Sequence, residues 1–444
     1  MTVNALKSPE EPQKVEPFKV AIAGLGTVGA GVLKILRDTQ TEITARAGRP
    51  ITVTAISARD RNKDRGVSLD GMTWFDDPVE MAREADVDVV VELIGGSNGP
   101  AKASVRAAMT GGRSVVTANK ALLAHHGAEL AKLAELSGVA LAYEAAVAGG
   151  IPIIKSLRDG LAANKIDRVV GILNGTCNYI LTTMRETGRS FEDVLADAQA
   201  LGYAEADPTF DVDGIDAAHK LSLLTSIAFG TEIDFDAVHV EGIRKVTAED
   251  IKYAGELGYK IKLLGISRQC EGAVEQRVHP CLVPVGSGIA AVEGVFNAVM
   301  VEGDAVGTVV LTGRGAGEGP TASAVVADLI DIAAGRASKT PFGVSAALMQ
   351  PLKSTPLSSH VGSYYVRLNV EDEPGIFAAI ASAFGAENVS METVMQHGHD
   401  NNQPVAVVLT IHETTEEAFS RALHRIKSIP GVLAEPVALR IEAM

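Results

Sequence analysis

The 444-residue sequence predicts an α/β protein built from three regions, and three observations carry that expectation. An apolar run, a glycine turn and an alanine-rich stretch at FKVAIAGLGTVG (18–29) and VGAGVLKILRDTQTEI read as strand, turn and helix. Strand-like ITVTAISARD (51–60), VDVVVELIG (87–95) and GRSVVTANK (112–120) follow, separated by alanine-rich helical stretches, and such alternation implies a parallel sheet. Near the C-terminus the order becomes strand, helix, strand, strand, helix, strand, the ferredoxin-like arrangement.

The regions follow in order. Residues 1–17 form a polar leader, and 18–150 form a Rossmann-type dinucleotide domain that part of 310–345 is a candidate to complete. Residues 151–348 hold IPIIKSLRD, the strand KIDRVVGIL (165–173), helical segments through 185–230 and the strands VFNAVMVEG and AVGTVVLTG, which suits an α+β domain. MQPLKSTPLSSHVGS (349–363) carries the prolines and serines of an interdomain linker. In 364–444 the strands are YYVRLNV, VSMETVMQH, QPVAVVLTIH and VALRIEA, and the helices are PGIFAAIASAFGAEN and EEAFSRALHRIKSI.

Composition excludes several classes of partner. A formal net charge of −15 opposes nucleic acid or anionic membrane, because either would repel the surface. The three cysteines, Cys177, Cys270 and Cys281, form no CxxC pair, which argues against a disulfide framework and fits the reducing cytoplasm. The leader is too acidic for a signal peptide, and no span reaches the ~20 uncharged apolar residues of a membrane helix.

The loop GLGTVG, Gly24-Leu25-Gly26-Thr27-Val28-Gly29, has a strand before it and a helix after it. Its first glycine permits the tight turn, its second lets backbone approach a pyrophosphate, and its third allows close helix–strand packing. The phosphates then meet free N–H groups at the helix N-terminus. At the end of the second strand, where an acid would bind the ribose hydroxyls of NAD, stand Ser57, Ala58 and Arg59. A guanidinium there can pair with a 2′-phosphate, so NADP is favoured, while Asp60 keeps NAD open.

Lys120 closes SVVTANK at a strand's carboxyl end, where parallel-sheet proteins place ligands; a surface lysine starting the next helix is the plainer reading. Glu144 falls in the apolar run LAYEAAVAGGIPII, where a lone carboxylate is costly. It either holds a cation together with backbone carbonyls or bonds neighbouring N–H groups. The acidic stretch GYAEADPTFDVDGIDAAHK (202–220) lacks zinc-ligand spacing and misses the calcium-loop pattern. A helix starting near Ile215 puts Asp216 and Lys220 on one face, and the acid favours a charged Lys220 suited to giving a proton to a developing alkoxide. Glu205 and Asp207, on the preceding loop, could accept from a substrate ammonium. A solvated turn and a functionless ion pair are the plainer alternatives.

Together GLGTVGAGV (24–32), TANK (117–120), YEAAVAGGIPII (143–154), GILNGTCNYIL (171–181), LGYAEADPTFDVDGIDAAHK (201–220) and GRGAGEGPTASAVVADL (313–329) resemble homoserine dehydrogenase. That resemblance implies reversible interconversion of L-homoserine and L-aspartate 4-semialdehyde with NAD or NADP, on the way to threonine and methionine. It implies that Lys220 is the catalytic acid/base and that Gly202, Glu205 and Asp216 bind substrate. Lys120 resembles the lysine at the cofactor–substrate junction, which implies a share in catalysis. Glu144 with the backbones of Val147, Gly149 and Ile151 resembles a monovalent cation site, normally sodium, and Gly319 ends a second element touching the dinucleotide. The tail, through VEDEPGIFAAIASAF, resembles an ACT domain, with Gly375 shaping an effector site. L-threonine is the implied allosteric inhibitor, and side-by-side pairing of such tails implies a homodimer or homotetramer. The region 151–348 becomes, on this resemblance, a catalytic and dimerisation domain. Two rivals remain: an amino-acid sensor with a silent nucleotide fold, and a dehydrogenase acting on a 2-amino group.

Overall fold

The computed structural model describes residues 15–270, 272–396 and 404–444. Residues 1–14 of the leader, and the expected strand ends at His397 and Gln403, lie outside the described residues. The chain divides into two compact units, one running up to Leu122 with Glu129–Ala145 and Gly317–Pro341, the other comprising Leu123–Ala128, Ala146–Ala316 and Phe342–Met444.

In the first unit β1 (Phe18–Ala23), β2 (Ile51–Ser57), β3 (Thr73–Phe75), β4 (Val89–Glu92), β5 (Ser114–Thr117) and β6 (Leu141–Ala142) form one sheet. Its order is β3-β2-β1-β4-β5-β6 and every pairing is parallel. Strands such as FKVAIA and VVVE are apolar almost throughout because both faces of a parallel sheet are covered. Val20, Ile22, Val89, Val91 and Val116 pack with Val32, Leu33 and Leu36 of the helix Thr27–Asp38 and with Ala322, Val325 and Leu329 of the helix Glu318–Ala333. That last helix comes from the region 310–345. Gly31 lets it approach, since a Cβ there would stand 2.8 Å from Glu318 Cγ and 3.1 Å from Ala322 Cβ.

The second unit is organised on one ten-stranded sheet. It contains β7 (Ile166–Ile172), β8 (His239–Val240), β9 (Tyr259–Cys270), β10 (Ala273–Pro284), β11 (Phe296–Gly303), β12 (Gly307–Arg314), β13 (Val361–Val370), β14 (Met391–Gln396), β15 (Val405–Thr415) and β16 (Val437–Ile441). The order is β12-β11-β7-β9-β10-β16-β13-β15-β14, with β8 beside β10. The tail has the expected βαββαβ order, with the helices Ile376–Ala386 and Glu416–Lys427 between its strands. Strand alternation explains its core: Tyr364, Val366, Leu368 and Val370 face those helices. Tyr365 and Arg367 point the other way, to Asp250 on the helix Ala248–Glu256, at 3.1 and 2.6 Å.

The tail is therefore joined to the preceding domain by more than a spacer. β16 continues the sheet through β10 in parallel, with Cys281 opposite Arg440 and Leu282 opposite Ile441. The 349–363 connector lies along the sheet as well, with Val274 N–H donating to Lys353 O (2.8 Å) and Thr355 N–H to Val274 O (3.0 Å). Beneath the joint, buried Arg277 bonds Glu275 (2.9 Å) and Glu442, and His360 Nδ1 lies 2.8 Å from Glu275. Burial alone would raise the Glu275 carboxyl, but His360 and the Arg277 charge outweigh it and hold it at about 2.

Breaking a buried pair strands the remaining charge, which costs about 3 kcal/mol or more. Glu442→Ala is thus expected to lower stability by about that amount in urea unfolding. An unchanged midpoint would show that Glu275 alone suffices for Arg277.

Candidate active site

Two sites emerge, one in each unit. In the first, a cavity of about 490 Å³ opens at the carboxyl edge of β1, β2 and β4 and is lined by Gly24, Gly26, Arg59, Lys63, Arg65 and Ile94, among others. The glycines divide their work as the loop pattern requires. Gly24 has φ +104°, and a Cβ there would lie 2.5 Å from Leu93 O. A Cβ on Gly29 would lie 2.2 Å from Gly24 O, so that position closes the helix onto the turn. At Gly26 a Cβ would meet nothing within 4 Å, which leaves room at the start of the helix Thr27–Asp38 for a pyrophosphate. Thr27 and Val28 open that helix, and Leu25 lies beneath the loop, buried. A dinucleotide fits this cradle.

Arg59 lies two residues past the end of β2 and is exposed on the cavity wall. Lys63 and Arg65, which sequence reasoning passed over, add positive charge to the same wall. Arg65 is fixed by donating to Leu25 O (3.2 Å) and Lys63 O (2.6 Å). The run RDRNKDR alternates charges and so reads in sequence as a solvated loop.

Lys120 starts the helix Lys120–Ser137, immediately after β5, and a buried polar chain fixes that turn. Glu92, wholly buried at the end of β4, accepts from Ile94 N–H (2.8 Å), Gly95 N–H (3.1 Å) and the Thr117 hydroxyl (2.6 Å). Thr117 Oγ1 in turn accepts from Asn119 N–H (3.0 Å). The Asn119 side chain caps the helix by accepting from Leu122 N–H (3.0 Å) and donates to Gly96 O (2.7 Å).

In the second unit the helix Ile215–Phe229 begins where the sequence places it, and it is buried on nearly every side. Lys220 Nζ donates to Asp216 Oδ2 (2.8 Å) and Leu173 O (2.7 Å). Asp216 Oδ2 also accepts from Asn174 Nδ2 (2.9 Å), and the same amide donates to Asp211 Oδ1 (2.8 Å). Asn174 is itself fixed as the N-cap of the helix Gly175–Thr187, accepting from Cys177 N–H at 2.8 Å. An ammonium has three donors. Two are committed to protein, to Leu173 O and Asp216 Oδ2, and the third is left over among the described residues.

Known proteins resemble this chain over most of its length. The homoserine dehydrogenase family model matches residues 152–330, its NAD-binding domain model matches 24–144, and the ACT domain model matches 364–431. A homoserine dehydrogenase of Neisseria gonorrhoeae is 46% identical over 435 residues, covering 97% of this chain and 100% of that protein. The chain belongs to the homoserine dehydrogenase family.

Among solved structures, a homoserine dehydrogenase from Thiobacillus denitrificans superposes with a TM-score of 0.90 at 44% identity, covering 96% of this chain and 98% of that one. A hyperthermophilic archaeal homoserine dehydrogenase in complex with NADPH matches with a TM-score of 0.61 at 27% identity, over 71% of this chain and 97% of that one. The remaining expected residues lie in both units. Gly202, φ +73°, and Glu205 lie on an exposed loop, with Gln199 Nε2 donating to Glu205 O at 3.0 Å. Asp207 accepts from Thr209 N–H at 3.1 Å on the same loop. Gly319 lies in the first turn of the helix Glu318–Ala333. In the first unit Glu144 is buried and its N–H donates to Asp328 Oδ2 (2.9 Å). In the second, Val147, Gly149 and Ile151 lie on a tight backbone turn with Ala148 at φ +52° and Gly149 at φ +27°. Asn174 and Asp211 are the site residues that sequence reasoning missed; only the N-cap pattern of NGTCNYIL hinted at the first.

The glycine geometry separates binding from folding. Gly26→Ala is expected to keep the melting temperature and weaken dinucleotide binding roughly tenfold or more, about 1.4 kcal/mol. Gly29→Ala is expected to destabilise the protein even without ligand, because its Cβ meets backbone. Equal melting curves for the two variants would refute this division.

Proposed function

We propose that the chain reduces L-aspartate 4-semialdehyde to L-homoserine, and runs the reverse reaction, with Lys220 as the acid/base. The observation that carries this reading is the buried ammonium with two donors held and one left over. When bound, a reduced nicotinamide supplies the hydride. Lys220 then gives a proton to the aldehyde oxygen as negative charge develops on it, and the product is the alcohol. Asp216 and Leu173 O fix where that proton is delivered. Gly202, Glu205 and Asp216 bind the amino-acid end of the substrate, and Lys120 assists at the reacting centre.

NADP is the preferred dinucleotide, on the strength of Arg59 reinforced by Lys63 and Arg65 in one cavity wall. NADPH in the archaeal relative supports that choice. Glu144 and the backbones of Val147, Gly149 and Ile151 hold a monovalent cation, sodium by resemblance. The product serves threonine and methionine synthesis in the cytoplasm, and L-threonine acts through the ACT domain as feedback inhibitor of a homodimer or homotetramer. Among the described residues no helix is long and apolar enough to cross a membrane.

Lys220→Ala is expected to lower kcat roughly 10²–10⁴-fold while leaving NADPH affinity nearly intact. Near-normal kcat would move the acid/base role to Lys120. Arg59→Ala should raise KM for NADP far more than for NAD, since only NADP offers the extra phosphate; equal losses would make Arg59 structural. Threonine should inhibit the full chain, and Gly375→Ala, at φ +99° on the exposed DEPG turn, should weaken that inhibition roughly 5-fold or more. Activity indifferent to threonine in the unaltered chain would leave the tail as an assembly element or a sensor of another metabolite.

A further inference from the structure

The joint between the tail and the catalytic domain reaches the Lys220 network through a short strap, residues 239–244. At one end of the strap Glu241 accepts from Arg440 Nη1 (3.0 Å) and lies 2.7 Å from His239 Nε2. Arg440 belongs to β16 of the tail and is held there by a two-bond fork to Glu416, at 2.9 and 2.7 Å. Burial would raise the Glu241 carboxyl, but the His239 bond and the Arg440 charge outweigh it and hold it at about 2. The strap is tied to β10 by Glu241 N–H donating to Val278 O (2.7 Å).

At its other end the strap grips the short helix Thr209–Val212. Ile243 N–H donates to Val212 O (2.9 Å), and Arg244 bonds Asp213 (2.5 Å) and Thr209 (3.2 Å). Packing there is close enough that a Cβ on Gly242 would lie 2.4 Å from Val212 O. That helix carries Asp211, which holds Asn174, which holds Asp216, which holds Lys220. Val240 and Val278 also press on Gly214, the residue capping the Lys220 helix: a Cβ on it would lie 3.1 and 3.2 Å from their methyl carbons.

We infer that Glu241 is a positioning residue: by clamping the strap to Arg440, it holds Asp211 and Asn174 in place and thereby sets where the Lys220 ammonium points. The tail is then felt at the active site through one ion pair and one short stretch of chain, with every link a direct contact. The inference rests on the reading of Lys220 as the acid/base. An effector that shifts β16 would loosen or tighten the pair, and only such a differential contact can couple a remote site to turnover.

The test is a kinetic cycle on the full-length enzyme with Glu241→Gln, Lys220→Ala and both together, recording kcat, KM for each substrate and the melting temperature. Glu241→Gln keeps the side chain's size and leaves Arg440 on Glu416, so the fold is retained. It is expected to lower kcat about tenfold, within the roughly 5–150-fold span of such couplings, with KM for NADPH unchanged. In the Lys220→Ala background the same substitution should cost almost nothing more, because the group it aims is gone. Equal kcat losses in both backgrounds, or a lowered melting temperature with unchanged kcat, would overturn the inference. Near-normal kcat in Lys220→Ala alone would instead sink the acid/base assignment, so the two failures are told apart. Arg440→Gln adds a second reading: combined with Glu241→Gln, its effect on kcat should not add.

Discussion

A lysine ammonium taken out of water needs an opposite charge and well-placed acceptors, and much of the second unit is arranged to supply them to Lys220. Asp216 provides the charge one helical turn away, and the carbonyl of Leu173 provides a second acceptor from the end of β7. Asn174 ties a second carboxylate into the same network, its amide donating to both Asp211 and Asp216. The pair is thus retained in a buried setting because its partners are themselves held, which is the condition under which a desolvated ion pair is tolerable.

The same logic recurs where β10 meets the tail. Arg277 is buried with Glu275 and Glu442, and buried Arg440 pairs with the half-buried Glu241 and Glu416, so two buried guanidiniums are each shared between the catalytic part of the sheet and the tail. Backbone pairing between β10 and β16 spans only two residue pairs. Side-chain charge therefore carries much of the specificity of that joint, and the tail is held by more than a free tether.

What the sequence revealed and what it concealed divide along a physical line. The glycine loop was legible because each of its glycines acts on its immediate neighbours: a positive φ at Gly24 and a contact with Gly24 O at Gly29 are local requirements. The helix from Ile215, with Asp216 and Lys220 on one face, was legible from spacing alone. Asn174 was not, since its importance comes from meeting Asp211 and Asp216 across the fold, and no periodicity records such a meeting. Glu92 was hidden in the same way inside the apolar run VDVVVELIG, where its donors come from its own turn and from the neighbouring strand. The connector 349–363 read as a linker because proline and serine signal irregular backbone. They do not reveal whether that backbone lies against a strand, as Lys353 and Thr355 do against Val274.

The central claim is that the Asp216–Lys220 pair is the working part of the site, and a single-turnover measurement on Asp216→Asn tests it most directly. The substitution keeps the shape of the side chain and removes its charge. With enzyme, NADPH and saturating aspartate semialdehyde mixed rapidly, the loss of nicotinamide absorbance reports the chemical step itself. The account predicts a single-turnover rate at least about tenfold below that of the unaltered enzyme, with NADPH affinity unchanged. An unaltered rate would contradict it, because an ammonium that delivers its proton equally well without Asp216 is not being aimed by the network built around it.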